Sequence, residues 1–302
     1  MLFIPTIVVH DRWMELQQLR YVLAVAEERN FTRAAEKCFV MQSALSHQIK
    51  SLEKELGVEL FARTSRRVEL TDAGAAFLPA ARAALDAADR AVADAAAATG
   101  EIRGTLTIGV IPTVTAIDIP AALGEFHRAH PTVQIRLRGG GSDEFIKAIR
   151  EGSIDVAVLG LPDATLPRGV ATQVLARERL VAVLGPGHRL AERRRLRLSD
   201  LADETFVDFP AGTPGRAPSD LAFASAGVPR RVAFEAMGTD LMLDLVRHDL
   251  AITLLAPAVV PANSGLVTIP VTDGPTRIEY LTWSDFNPSP AALAFLRVAA
   301  VA

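Results

Sequence analysis

NFTRAAEKCFVMQSALSHQIKSLEKEL, residues 30–56, holds two short helix-forming segments separated by a break. In the second, Leu45, Ile49, Leu52 and Leu56 recur at spacings of four, three and four, which lines them along one face of a helix. Gln42, Ser43, Ser46, His47 and Lys50 fall on the other side, concentrated in the first two turns. Those turns are where a helix laid in the major groove meets base edges. The pattern predicts a helix-turn-helix; the plainer alternative is an αα-hairpin with a solvated polar face. The following residues separate the two readings. Gly57 is a helix stop, and Val68 and Leu70 alternate with Arg67 and Glu69 as a short strand would. Arg63, Arg66 and Arg67 gather at the expected tip of a β-hairpin, where guanidinium groups pair with phosphate oxygens. The expectation is a winged helix-turn-helix suited to double-stranded DNA.

Upstream, Leu19, Val22, Val25 and Ala26 give a first helix its buried face, and Asn30 is placed to cap the helix that opens with Phe31 and Thr32. Residues 1–13, MLFIPTIVVHDRW, are apolar but too short to span a bilayer, and they lack the basic start of a signal peptide. They read as an N-terminal extension of a cytoplasmic chain with no membrane segment. Downstream, LTDAGAAFLPAARAALDAADRAVADAAAATG predicts one long helix opened by Thr71 or Asp72 and ended by Gly100, with Pro79 expected to kink or break it. Leu78, Ala81, Leu85, Ala88 and Val92 form a seam along it. The seam fits pairing with a second copy, or docking on the helix's own domain.

Past Gly104 the rhythm becomes LTIGVI, a helix ending near FHRAHP, VQIRLRG, a helix around DEFIKAIREG, and DVAVLGL, a βαβαβ pattern with a parallel sheet. After Arg177 it recurs with LVAVLG, TFVDFP, a helix near PSDLAFASAG, RVAFEA, a helix from Thr239 to His248, and AITLLAP. IEYLTWS and PAALAFLRVA would return to the first lobe. Two α/β lobes are expected. The 302 residues are half hydrophobic with a net charge of −3, so attraction to nucleic acid must come from local basic clusters. The single cysteine, Cys38, permits no intrachain disulfide and no zinc constellation, and a buried structural role is expected for it over a redox one.

The run from Met14 to Gly74, with LRYVLAVAEERNFTRAAEKC, QSALSHQIKSLEKELGVELFAR and RRVELTDAG, closely resembles the N-terminal domain of LysR-type transcriptional regulators. The resemblance makes Gln42, Ser43, Ser46 and His47 candidate base readers, with Lys50, Arg63, Arg66 and Arg67 on the DNA backbone and Thr32 a further DNA-binding residue. Met41 departs from the family's usual Ser or Thr and cannot cap the recognition helix, a loss of about 1 kcal/mol. The resemblance further implies a linker helix, residues 72–98, that pairs two copies antiparallel, and an effector domain of two periplasmic-binding-protein-like lobes. It places the DNA-binding domain at 14–71 and the effector domain at 99–302, with lobe I at 103–175 and 271–302 and lobe II at 176–270. Expected partners are an operator, a small-molecule effector, a second copy in a homodimer or homotetramer, and RNA polymerase. An architectural DNA protein and an enzyme with an attached DNA-binding domain are the competing readings; no G-x-S-x-G supports the second.

In open α/β sheets small molecules bind beyond the carboxyl ends of strands, and between lobes where there are two. The first strand's end supplies Pro112, Thr113, Val114 and Thr115, read as preceding a helix whose amides and neighbouring hydroxyls suit a carboxylate. Ser142 holds the matching position before the next helix. By resemblance, Thr113 and Ser142 fall where the family holds its inducer, and Phe209 with Pro210 would line the second lobe. Capping of helices is the competing role for these hydroxyls, and Asp143 and Glu144 reduce room for an anion. No cofactor or metal is expected: Gly139, Gly140 and Gly141 match neither phosphate-loop spacing and read as a turn. The ERRRLR run at 192–197 reads as a solvated face, Arg216 as a cation reaching a carboxylate across the cleft, and Asp249 as a tolerable left-handed helix stop.

Overall fold

The computed structural model describes residues 14–63, 68–98 and 100–299. They form two compact units, one up to Val92 and one from Ala93 onward. In the first, α1 (Leu16–Glu28), α2 (Phe31–Lys37) and α3 (Gln42–Leu56) precede an antiparallel hairpin of β1 (Phe61–Arg63) and β2 (Val68–Leu70). Asn30 Oδ1 accepts from the amides of Thr32 and Arg33 at 2.8 and 3.0 Å, so the expected cap is present. Val22, Val25, Ala34, Leu45, Ile49 and Leu52 form the core with Leu60 and Phe61 of the hairpin. Leu56, expected on that seam, is 37% exposed, because α3 ends there and Gly57 turns the chain away at φ 74°. Glu53 holds the hairpin against α3: its Oε1 accepts from the amides of Leu60 and Phe61 at 2.9 and 3.2 Å.

Thr71 then caps α4 (Asp72–Ala97), accepting from the Gly74 amide at 3.0 Å while donating to the Glu59 carbonyl at 2.6 Å. The helix runs unbroken through Pro79; the proline removes only the bond to the Ala75 carbonyl, and the neighbouring turns carry the ladder. Within the first unit the seam is not uniform. Leu78 packs against the helix-turn-helix core and Ala81 is buried, whereas Val92 is 66% exposed.

The second unit is built on a five-stranded sheet of order β4-β3-β5-β12-β6. Its strands are β3 (Gly104–Val110), β4 (Val133–Gly139), β5 (Val156–Pro162), β6 (Ala171–Arg179) and β12 (Thr276–Trp283). β3 is parallel to β4 and β5, and β12 is antiparallel to β5 and β6, so the sheet is mixed. α5 (Ile119–Ala129), α6 (Ser142–Arg150) and α9 (Pro290–Ala299) cover it. The last strand and helix therefore do return to the first lobe.

Between β6 and β12 lies the second lobe: β7 (Val181–Leu184), β8 (Thr205–Asp208), α7 (Ala217–Ala226), β9 (Arg231–Glu235), α8 (Thr239–Arg247), β10 (Thr253–Leu255) and β11 (Val267–Pro270). β10 and β11 flank β7 antiparallel, β8 and β9 pair in parallel, and a bridge between Phe206 and Ile252 joins the two sets. Arg230 lies buried over the rings of Phe206 and Phe223, at 4.7 and 5.3 Å, and pairs with Asp208. Asp249 takes the left-handed conformation after α8 at φ 54°, as expected of that helix stop. Glu192, Arg193, Arg194 and Arg195 are exposed, with Leu196 the buried anchor of the run. Among the described residues no helix is long and apolar enough to cross a membrane.

Candidate DNA interface and effector cleft

The polar face of α3 is open. Gln42, Ser43, His47 and Lys50 are exposed, as is Thr32 in α2, and Ser46 is half-buried one turn from the start of α3. Gln18 of α1 donates to Gln48 at 3.2 Å and fixes α3's rotation from the buried side. Arg63 ends β1; Arg66 and Arg67, expected at the wing tip, lie outside the described residues, as does the Arg63 side chain. Met41 stands at the N-cap of α3 without a capping bond and 75% exposed, and Phe39 before it is 95% exposed at φ 54°. These two apolar side chains flank the start of the helix, where residue-type reading marked only a missing cap. Cys38, half-buried at the end of α2, has its thiol pushed up by burial, which disfavours the thiolate.

In the second unit a cavity of about 330 Å³ lies between the lobes. The ends of β3 and β5 and the start of α6 supply Ile111, Pro112, Thr113, Ser142 and Gly160 from the first lobe. Phe209, Thr213, Pro214, Met237, Leu254 and Leu255 come from the second. Of the expected ligand residues, Pro112, Thr113, Ser142 and Phe209 line the cavity; Val114, Thr115 and Pro210 do not.

The reasons are local. α5 begins only at Ile119, capped by Asp118, so Pro112, Thr113, Val114 and Thr115 do not lead directly into its amides. The amides of Thr115 and Ala116 and the Thr115 hydroxyl instead satisfy Glu279, which has no exposed surface. Pro210 accepts at its carbonyl from the Thr213 hydroxyl at 2.7 Å and shapes the loop. Ser142 is the first residue of α6, after Gly141 at the cap position. It does not cap the helix: its hydroxyl donates to the Gly160 carbonyl at 3.1 Å and accepts from the Gly160 amide at 3.0 Å, clipping α6 to β5. Gly139, Gly140 and Gly141 make the turn from β4 to α6, where a side chain at Gly140 would meet Glu144 and Phe145 at 2.8 and 2.9 Å. Arg216 pairs with Asp220 and Glu235 at 3.1 and 2.6 Å and does not line the cleft.

Arg277 was not foreseen. It reaches the cavity from β12 and donates to the hydroxyl and carbonyl of Thr113, to Glu178 at 3.0 and 3.2 Å, and to Glu279. The signal in the sequence was RIE at 277–279, two charges in a strand otherwise reading as core.

Two family profiles match the chain: "LysR substrate binding domain" over residues 99–301 and "Bacterial regulatory helix-turn-helix protein, lysR family" over residues 16–75. The chain belongs to the LysR family. A probable hydrogen peroxide-inducible genes activator of Mycobacterium avium is 34% identical over 82% of this chain and 79% of its own. The HTH-type transcriptional regulator IlvR of Caulobacter vibrioides is 34% identical over 94% of this chain and 97% of its own. Among solved structures, full-length CbnR complexed with its target DNA covers 95% of this chain and 99% of its own at 27% identity, with a TM-score of 0.70. This LysR-type protein is thus a DNA-binding transcriptional regulator with a two-lobed effector domain.

Proposed function

We propose that this LysR-type regulator reads its operator with Gln42, Ser43, Ser46 and His47, grips the DNA backbone with Thr32, Lys50, Arg63, Arg66 and Arg67, and responds to a small molecule held between its lobes. The observation that carries the reading is the open polar face of α3 beside the β1–β2 hairpin, in a chain whose second unit encloses a cavity. The complex of CbnR with target DNA supports the same docking here. The DNA-binding domain is assigned to 14–71, the linker to 72–98 and the effector domain to 99–302, with 1–13 an extension. The exposed Val92 end of α4 suits pairing with a second copy, and a homotetramer formed through the effector lobes would bring four reading helices to one promoter.

The role is regulatory and cytoplasmic, with RNA polymerase as the downstream contact, and turnover is no part of it. Residues 99–302 hold no cysteine, so an effector response in this domain would not run through one of its own thiols. Regulation follows if the effector binds the two arrangements of the chain unequally. Footprinting on the DNA upstream of the protein's own gene, with random duplex as competitor, tests the reading. A long dyad protected through competition is expected; protection lost to competitor would mean backbone binding without sequence reading.

A further inference from the structure

Resting on the effector reading of the cleft, we propose that the cleft takes an uncharged, largely apolar molecule and discriminates against carboxylates. Its walls are mostly hydrocarbon, from Ile111, Leu180, Phe209, Pro214, Met237 and Leu254. The cation among its lining residues, Arg277, is already committed. Glu178 and Glu279 both pair with it, Thr113 takes two further donations, and the guanidinium is nearly sealed from solvent at 6% exposure. One guanidinium against two carboxylates leaves this group one negative charge in excess.

Also among the lining residues, Asp143 and Glu144 stand in the first turn of α6, and Arg138 offsets Glu144 at 3.5 Å. These two carboxylates set the chain's own negative charge beside the N-terminus of α6. A ligand carboxylate entering this site would lose its hydration and meet no unpaired cation among the described lining residues. A neutral acceptor has a partner. The Thr113 hydroxyl accepts from Arg277, which leaves its own proton to donate into the cavity. An amide, ketone or alcohol on an apolar body of a size to fill about 330 Å³ fits both features.

The test measures binding of two near-isosteric probes, phenylacetamide and phenylacetate, to the purified full chain at neutral pH by calorimetry and ligand-observed NMR. Phenylacetamide should bind at least about tenfold more tightly, the ratio expected of one uncompensated charge at partly screened range. Its binding should disappear in Met237→Trp, which sets a larger side chain at an exposed position of the cavity lining. In Glu178→Gln, which restores charge balance around Arg277, the preference should shrink about tenfold.

Equal or tighter binding of phenylacetate to the wild type would overturn the proposal while leaving the cleft an effector site. An unchanged preference in a folded Glu178→Gln protein would overturn its electrostatic cause. Failure of both probes to bind at about 10 mM, or binding untouched by Met237→Trp, would overturn the effector reading itself. The wild-type comparison decides the proposal even where a variant fails to fold.

Discussion

At Gly74 a single hydrogen decides whether the wing and the linker can meet: a Cβ there would lie 2.1 Å from the Leu60 carbonyl oxygen and 2.9 Å from the Leu70 side chain. Backbone cannot move aside as a side chain can, so Gly74→Ala is expected to destabilise the first unit by about 1–3 kcal/mol. Thermal melting of the full chain followed by a DNA-binding readout checks it, and an unchanged melting profile would show that the hairpin relaxes freely. Ser142 and Thr113 pose a subtler residue-scale question, since both line the cleft and both are bonded within the fold, but only Ser142 spends its hydroxyl proton there. Ser142→Ala deletes the two-way clip to Gly160 and should lower stability by about 1–3 kcal/mol. Thr113→Ala should weaken binding of a neutral probe about tenfold, the worth of one net hydrogen bond of about 1.4 kcal/mol. Chemical denaturation and calorimetry on each variant separate the two. Equal behaviour of the pair would return both hydroxyls to a common role.

At the scale of the element, legibility followed periodicity. α3 was readable because Leu45, Ile49 and Leu52 are fully buried on one stripe, and β5 because a strand buried along its whole length reads as an apolar run. β6 and β11 escaped. β6, ATQVLARER, is an edge strand with most of its residues exposed or half-buried, and β11 is four residues ending in proline. The site was half readable for a related reason. Thr113 and Ser142 follow strand ends that topology rules mark, but the cation beside them lies far along the chain: Arg277 is 164 residues from Thr113. No local pattern encodes such a pairing. α4 shows the same limit, since spacing alone could not say that Leu78 and Ala81 pack in cis while Val92 stays exposed. Val92→Asp should therefore leave the first unit folded and lower self-association at least about tenfold, one charge being set into an apolar seam. Sedimentation velocity across a concentration series measures this; an unaltered dimer would move the interface off that face of α4.

Taken as a whole, the molecule carries net charge −3, so its attraction to DNA is a local affair set against a weakly repelling remainder. Two kinds of contact should then be separable by salt. Lys50, exposed in the third turn of α3, is placed for phosphate. Lys50→Ala should weaken operator and random duplex alike and reduce the slope of log affinity against log salt by about one. His47, exposed in the second turn of α3, is placed for base edges, and His47→Ala should cost about 1–3 kcal/mol on the operator with little change on random DNA. Fluorescence anisotropy with both duplexes at four salt concentrations gives the two slopes and the two affinities together. If Lys50→Ala lost operator affinity alone, with the salt slope intact, the lysine would be a base reader. If His47→Ala weakened both duplexes equally, α3 would lie across the phosphates, and sequence reading would have to come from the wing.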